Sequence, residues 1–334
     1  MPSEPRVIQV INNYRAALLQ REEAQVNDMV NRWLRVERAL EGHIGALALE
    51  IERRRAAGEM VKPWRFAELE RYQSLLAQAQ VEIGKYANWA DALITDGQRQ
   101  SGSDGAEQAR AVLETIYRDA DAVHAAFDIL PVEVIESMAG LTSAGSPLRD
   151  LLQQAWPDAV DGMTQAMVNS VAKGVNPRQT AKAMANGMAE GLQRCLTIAR
   201  TEQLRVYREA TRQQYAQSGV VEGYKRVAAK SVRTCLACLF ADGRTYPLTT
   251  PFEEHPNGRC APVPVVIGMS EINWQTGREW FGGLKAAQQR EMMGSKLHEA
   301  WASGRVDFDA IVKQHHDATW GDHLRPATLK ELDL

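Results

Sequence analysis

No stretch of this 334-residue sequence approaches the roughly 18 uninterrupted apolar residues that a membrane-spanning helix requires. A helical membrane protein is therefore excluded. The opening Met1-Pro2-Ser3-Glu4-Pro5-Arg6 lacks the cationic segment and apolar run of a secretory signal. With only four cysteines and no export signal, a reducing, cytosolic site of synthesis is expected, not a disulfide framework. The formal net charge of −3 gives no global attraction to nucleic acid or to an acidic membrane, so such contacts need a local patch. There is no His-Glu-x-x-His, no paired-carboxylate motif and no glycine-rich phosphate loop. Internal repeats and low-complexity segments are missing too. These absences favour a non-enzymatic protein with no small-molecule substrate and no membrane contact.

What is present is helical periodicity. Val26, Val30, Trp33, Leu40, Ile44, Leu47 and Ile51 recur in steps of three, four or seven and make one apolar stripe. Arg53, Arg54 and Arg55 load the last turn, and Gly58 supplies a stop. After a short loop through Lys62-Pro63, a second stripe runs through Leu69, Tyr72, Leu76, Ile83, Tyr86 and Leu93 to Asp96-Gly97. Two long helices with a short loop should pack antiparallel. The polar, glycine-containing stretch 98–105 reads as a flexible connection. A third helix is expected beyond it, with Val112, Ile116 and Val123 inward.

Pro131 and Ser146-Pro147, the latter after Ser143-Ala144-Gly145, mark further helix starts, with Ser146 as N-cap. Asn176-Pro177 repeats the signal. A longer helix over about 191–217 should bury Leu192, Leu196, Ala199, Val206 and Ala210. After Gly219, residues 220–228 turn β-branched and aromatic. Asp242-Gly243 between two short β-capable runs predicts a hairpin over 239–246. Pro262-Val263-Pro264-Val265-Val266-Ile267 fits an edge strand, because each proline removes a ladder donor. Helical spacing resumes from Ser270 through Trp280, Leu284, Met292, Leu297, Trp301, Phe308 and Ile311. The expected fold is α+β and predominantly α-helical. Its parts are an N-terminal helical arm (1–100), a helical middle (101–174), a helix with a small β unit (175–269) and a C-terminal helical extension (270–334).

Three cysteines crowd together, Cys235, Cys238 and Cys260, with His255 just before the last. Two cysteines separated by two residues can turn both sulfurs toward one ion, and a returning segment can complete a tetrahedral Cys₃His zinc site. With four protein ligands the metal would be structural. The alternatives stay open: cysteine buries readily without metal, and His255 can simply hydrogen-bond its loop. A redox Cys-x-x-Cys is disfavoured because no βαβ pattern surrounds it. Cys195 sits on an apolar helix face and reads as core.

At this cluster the chain resembles a known family. Ala199-Arg200-Thr201-Glu202 within a helix precedes Thr234-Cys235-Leu236-Ala237-Cys238, then Asp242-Gly243, then His255-Pro256-Asn257-Gly258-Arg259-Cys260. Together these are similar to the signature of the phage Mu protein F-like domain of minor head proteins. The tail, with Trp280-Phe281, Gln288-Gln289 and Gly294, looks like that family's C-terminal extension. The resemblance is specific over about 175–300 and generic before it. One departure concerns the His-Pro-x-Cys-Arg-Cys ending of many members: here Asn257-Gly258 replaces the first of its cysteines, so His255 becomes necessary if zinc is held. The resemblance implies a low-copy head-morphogenesis protein in the virion interior at the portal vertex. Its expected partners are the portal protein, capsid or scaffolding protein, and double-stranded DNA during packaging or ejection.

Two further features carry competing readings. Arg205, Arg208 and Arg212 are spaced to share one helix face, and Lys225, Arg226, Lys230 and Arg233 follow. They could contact phosphates or a portal surface, giving salt-sensitive binding, or be a solvated face neutralised by Glu202 and Glu209. His315-His316-Asp317, with Gly321, Asp322 and His323 nearby, could serve a metal-dependent hydrolase or nuclease. Adjacent helical histidines diverge, however, and a solvent-facing C-terminal helix is the plainer expectation.

Overall fold

An apolar residue every three or four positions, with no proline after Pro5 until Pro63, makes α1 (Arg6–Ala56) one helix of 51 residues. At 1.5 Å per residue it spans about 75 Å. This computed structural model describes residues 4–59, 68–120, 127–142 and 145–334. The Lys62-Pro63 loop, Val123, Ser143-Ala144 and Met1-Pro2-Ser3 lie outside the described residues. The helix α2 (Glu70–Asp119) returns along α1. Trp33 of α1 meets Tyr86 of α2 edge to face at 5.0 Å, and the Tyr86 hydroxyl donates to the Met29 carbonyl at 3.2 Å.

The expected flexible connection at 98–105 is instead the middle of α2, and the boundary drawn at residue 100 falls inside that helix. The small residues there are a packing face. Ser101, Gly102, Gly105, Ala106 and Ala109 are buried, and α7 (Ala189–Gln217) lies against them. A Cβ on Gly105 would fall inside van der Waals contact of the Tyr207 carbonyl oxygen, and one on Gly102 would come within 2.6 Å of Ile135 Cγ2. Glycine here admits a neighbouring backbone; it does not loosen the chain. Gln98, fully buried, donates to the Leu141 carbonyl and accepts from the Gly140 amide. Replacing Gly105 by valine is expected to cost about 3 kcal/mol through overpacking, measurable as a lower urea midpoint at unchanged slope.

Between α2 and α7 the chain forms α3 (Val132–Glu136), α4 (Leu148–Gln153), α5 (Ala155–Ala172) and α6 (Pro177–Gly187). Asn176 caps α6 as expected, its side chain accepting from the Gln179 amide, with Pro177 at the first position. At α4 the expectation needs correction. The cap position is Pro147, and the Ser146 hydroxyl pairs with Thr142 at 2.8 Å.

A three-stranded antiparallel sheet follows in the order β2-β1-β3, from β1 (Val221–Val227), β2 (Thr245–Pro247) and β3 (Ala261–Val266). The proline-bearing β3 takes an edge, as its missing donors require. The Asp-Gly turn does not join two strands. Residues 236–241 form the short helix α8 (Leu236–Ala241), buried throughout. A short unalternating apolar run cannot distinguish strand from buried helix. After the turn the chain pairs with β1 instead, the Gly243 amide donating to Arg226 and the Arg226 amide to Arg244.

The C-terminal part contains α9 (Gly277–Gly282), α10 (Ala286–Met293), α11 (Ser295–Ala302) and α12 (Phe308–Ile311). Phe240, Phe281, Trp301 and Phe308 join this part to α8. It is not wholly helical. β4 (Val312–Asp317) and β5 (Gly321–Pro326) form a hairpin. The Asp317 carboxylate accepts from the Thr319 and Trp320 amides, and Gly321 takes φ +71°. No helix among the described residues is long and apolar enough to cross a membrane. The fold is predominantly α-helical with two small antiparallel sheets, an α+β architecture.

Candidate metal centre

Cys235 is the N-cap of α8 and Cys238 stands in its first turn, so the tight helical start brings the two thiols together. The segment returning from β2 to β3 carries Glu254, His255 and Cys260 to the same point. Donor atoms of Cys235, Cys238 and His255 lie within 4.8 Å of one another, as do those of Cys238, Glu254 and Cys260. Cys238 belongs to both groups. Its sulfur is 3.1 Å from His255 Nε2 and 3.3 Å from a Glu254 oxygen. The four residues singled out by spacing therefore converge around one sulfur, although the hairpin expected to bring them together does not exist.

Helix α7 holds the returning loop. Thr201 Oγ1 accepts from the Asn257 amide at 3.1 Å, and Arg208 donates to the Gly258 carbonyl at 3.0 Å. Asn257 has φ +61°, a conformation asparagine tolerates better than most residues. Glu22 of α1 reaches both Arg200 (3.1 Å) and Arg259 (3.2 Å), tying the long helix to the loop. Each residue of the Ala199–Glu202 run thus has a job. Ala199 packs in the core, Arg200 and Thr201 anchor neighbours, and Glu202 pairs with Arg205 at 2.7 Å.

The sequence reading missed Glu254. Its side chain is wholly buried beside the sulfurs and pairs with Arg226 at 2.8 Å. Burial alone would raise its carboxyl, but the Arg226 guanidinium, with His255 and Arg208, holds it at about 2. Glu254 also explains the Asn257-Gly258 departure. A Cβ on Gly258 would strike the Glu254 side chain, so a cysteine there would displace this carboxylate.

The cluster is electrostatically uneven. Arg208 and Arg226 are 3% and 2% exposed, and the buried Glu254 carboxylate pairs with Arg226. Both guanidinium Nε atoms lack hydrogen-bond partners. The cluster thiols respond unequally to this setting. Hydrogen bonding from Cys238, and then His255, lowers the Cys235 thiol to about 4. Burial would lower His255, yet Cys235 and Glu254 raise it to about 9. Cys238 is pushed up by its bonds to Cys235 and Cys260 and by burial. Three thiolates and a neutral imidazole around a divalent cation would carry one negative charge in total. The donor set, two or more cysteines with histidine, suits zinc.

The proposed basic stripe is built differently. Arg205 pairs with Glu202 and donates to the Leu141 carbonyl at 2.8 Å, and Arg212 pairs with Glu209 and bonds the Leu248 carbonyl. Lys225 pairs with Glu271 at 2.8 Å and Lys230 with Asp242 at 3.2 Å. Arg208 and Arg226 are internal, so these two do not face a partner. Among the described residues, Arg233 alone of the seven is exposed with no side-chain partner. Arg208→Ala is expected to destabilise the chain by about 3 kcal/mol, whereas Arg233→Ala should leave the melting temperature unchanged. Thermal melts of the two variants check this.

The tail histidines sit on strands, not on a helix. His315 and His323 face each other across β4–β5 at 5.1 Å between rings, while His316 points to the other side and meets exposed Asp322 at 2.7 Å. They form no group of three donors among the described residues. Cys195 is fully buried in the helical core, and burial pushes its thiol up to about 12.

Residues 161–263 match the family described as Phage Mu protein F like protein. The match covers about a third of the chain, from within α5 to within β3, and contains all four candidate ligands. It ends before the C-terminal stretch whose resemblance was noted from sequence. No curated protein and no solved structure matches the chain. The family points to phage head morphogenesis, a structural role, and to the virion.

Proposed function

We propose, from the premise that this is a phage Mu protein F-like protein, that it is a minor capsid protein built into the procapsid at the portal vertex. There it acts in head assembly and in the passage of double-stranded DNA. The observation that carries this reading is the family match lying over the sulfur and imidazole cluster. In this reading Cys235, Cys238, His255 and Cys260 hold one structural zinc. The ion crosslinks α8 to the loop entering β3 at the point where Thr201 and Arg208 of α7 and Glu22 of α1 also converge. The long helices are thereby fixed to a rigid module, and the α1–α2 arm is left to dock. Residues that bind metal only when folded link metal affinity to folding free energy.

The test is co-expression with the portal protein of the same phage. The reading predicts that the full chain co-purifies with portal rings and enters procapsids. It also predicts that Cys238→Ser reduces incorporation severalfold. A chain that stays free while procapsids form normally without it contradicts the assembly role.

A further inference from the structure

Two open cavities run end to end along the outer side of α1 and share Leu34 and Arg38. One, of about 500 Å³, is walled by Arg32, Arg35, Arg38 and Trp89. The other, of about 710 Å³, lies between α1 and α6, with Leu34, Leu49, Ala181 and Ala185 on its floor and Arg178 and Lys182 on its rim. We propose that this groove is the docking site for an acidic amphipathic helix of another protein.

Helix α1 carries a second stripe. Leu34, Arg38, Glu41, Gly45 and Leu49 recur in steps of four, three, four and four, so they share one helix face. It is distinct from the core stripe through Trp33, Leu40, Ile44, Leu47 and Ile51. Leu34 is 40% exposed and Leu49 51% exposed, both on this face. From Arg32 to Leu49 the groove extends about 25 Å, the length of a helix of roughly 17 residues. A Cβ on Gly45 would meet nothing within 4 Å. With Ala181 and Ala185 opposite, the floor is open to close approach by another helix.

Charge then selects the occupant. Arg35, Arg38, Arg178 and Lys182 are exposed and form no ion pair among the described residues, and Arg32 instead lies 5.6 Å over the Trp89 ring. The predicted basic stripe is, by contrast, largely neutralised internally. Five cations line the two cavities against the three carboxylates of Asp28, Glu37 and Glu41, so positive charge is in excess. An incoming helix that presents leucine-like residues between rows of carboxylates satisfies floor and rim together. A DNA backbone offers nothing apolar for Leu34 and Leu49. Pairing of two copies about a twofold axis would bring like-charged rims together. The proposal is independent of the metal centre, which lies outside both cavities.

The experiment uses the full chain and a fluorescein-labelled 17-residue peptide carrying leucine at positions 4, 8, 11 and 15 with glutamate on both flanks. Fluorescence anisotropy should show saturable binding. Arg38→Glu with Lys182→Glu, and separately Leu49→Asp, should each weaken it about tenfold or more. Melting temperatures should not change, since all three positions are exposed. The same peptide with lysine replacing glutamate should bind at least tenfold more weakly. No saturable binding to the unaltered chain overturns the proposal. So does equal affinity for the lysine peptide, preference for a 20-base-pair duplex, or self-association that the Arg38→Glu, Lys182→Glu variant abolishes.

Discussion

Arg226→Met is expected to destabilise the chain by about 3–5 kcal/mol, the scale set by stranding a buried charge. The Arg226 and Glu254 side chains are 3% and 0% exposed and meet at 2.8 Å. Arg226 also bonds the Glu253 carbonyl and lies 4.3 Å over the Phe252 ring. Methionine keeps much of the volume and the ring contact but leaves Glu254 facing two thiols with one guanidinium fewer. If the loss comes from the stranded carboxylate, adding Glu254→Gln should recover part of it, because the double variant buries no unpaired anion. A double-mutant cycle by urea unfolding measures the coupling directly. Additive losses would mean the two side chains act through packing and not as a pair.

The second large effect is expected at Cys238, the sulfur common to both donor groups. Cys238→Ser should abolish metal binding and lower the melting temperature by about 5–10 °C, with loss of hydrogen-exchange protection concentrated in residues 228–263. Cys195→Ser is the control. That thiol is equally buried but lies in the α1–α2–α7 core, so its replacement should cost stability without altering metal content. Equal metal loss from both variants would point to global unfolding and not to a ligand role.

The sequence carried the long elements well because periodicity reports burial directly. The stripe from Trp33 to Ile51 is the buried face of α1, and Leu192, Leu196, Ala199, Val206 and Ala210 are buried on α7. Asn176-Pro177 marks a cap because its chemistry is local. The failures come where distant partners decide. Residues 98–105 have linker composition, yet their small side chains admit α7, and no local signal separates those cases. The run 236–241 is too short and too uniformly apolar to show its period, so composition alone does not separate this buried helix from a strand. The β4–β5 hairpin was hidden because Asp317 and Gly321 closed a loop longer than the two-residue turn.

The candidate site divides the same way. Spacing singled out Cys235, Cys238, His255 and Cys260, which the fold brings together, since candidate metal-ligand patterns are local in sequence. Glu254 and Glu22 were out of reach, because their roles depend on burial and on contacts up to 237 residues apart. Arginine spacing leaves out contacts of the same kind. Arg205, Arg208 and Arg212 do follow one helix stripe, but that stripe faces loops of the same chain.

Zinc content of the purified full chain, measured together with its melting curve before and after a strong chelator, bears most directly on the proposed centre. One zinc per chain that survives dialysis, with a lower melting temperature once it is stripped, is the predicted result. Metal-free protein that melts identically with and without chelator would contradict it.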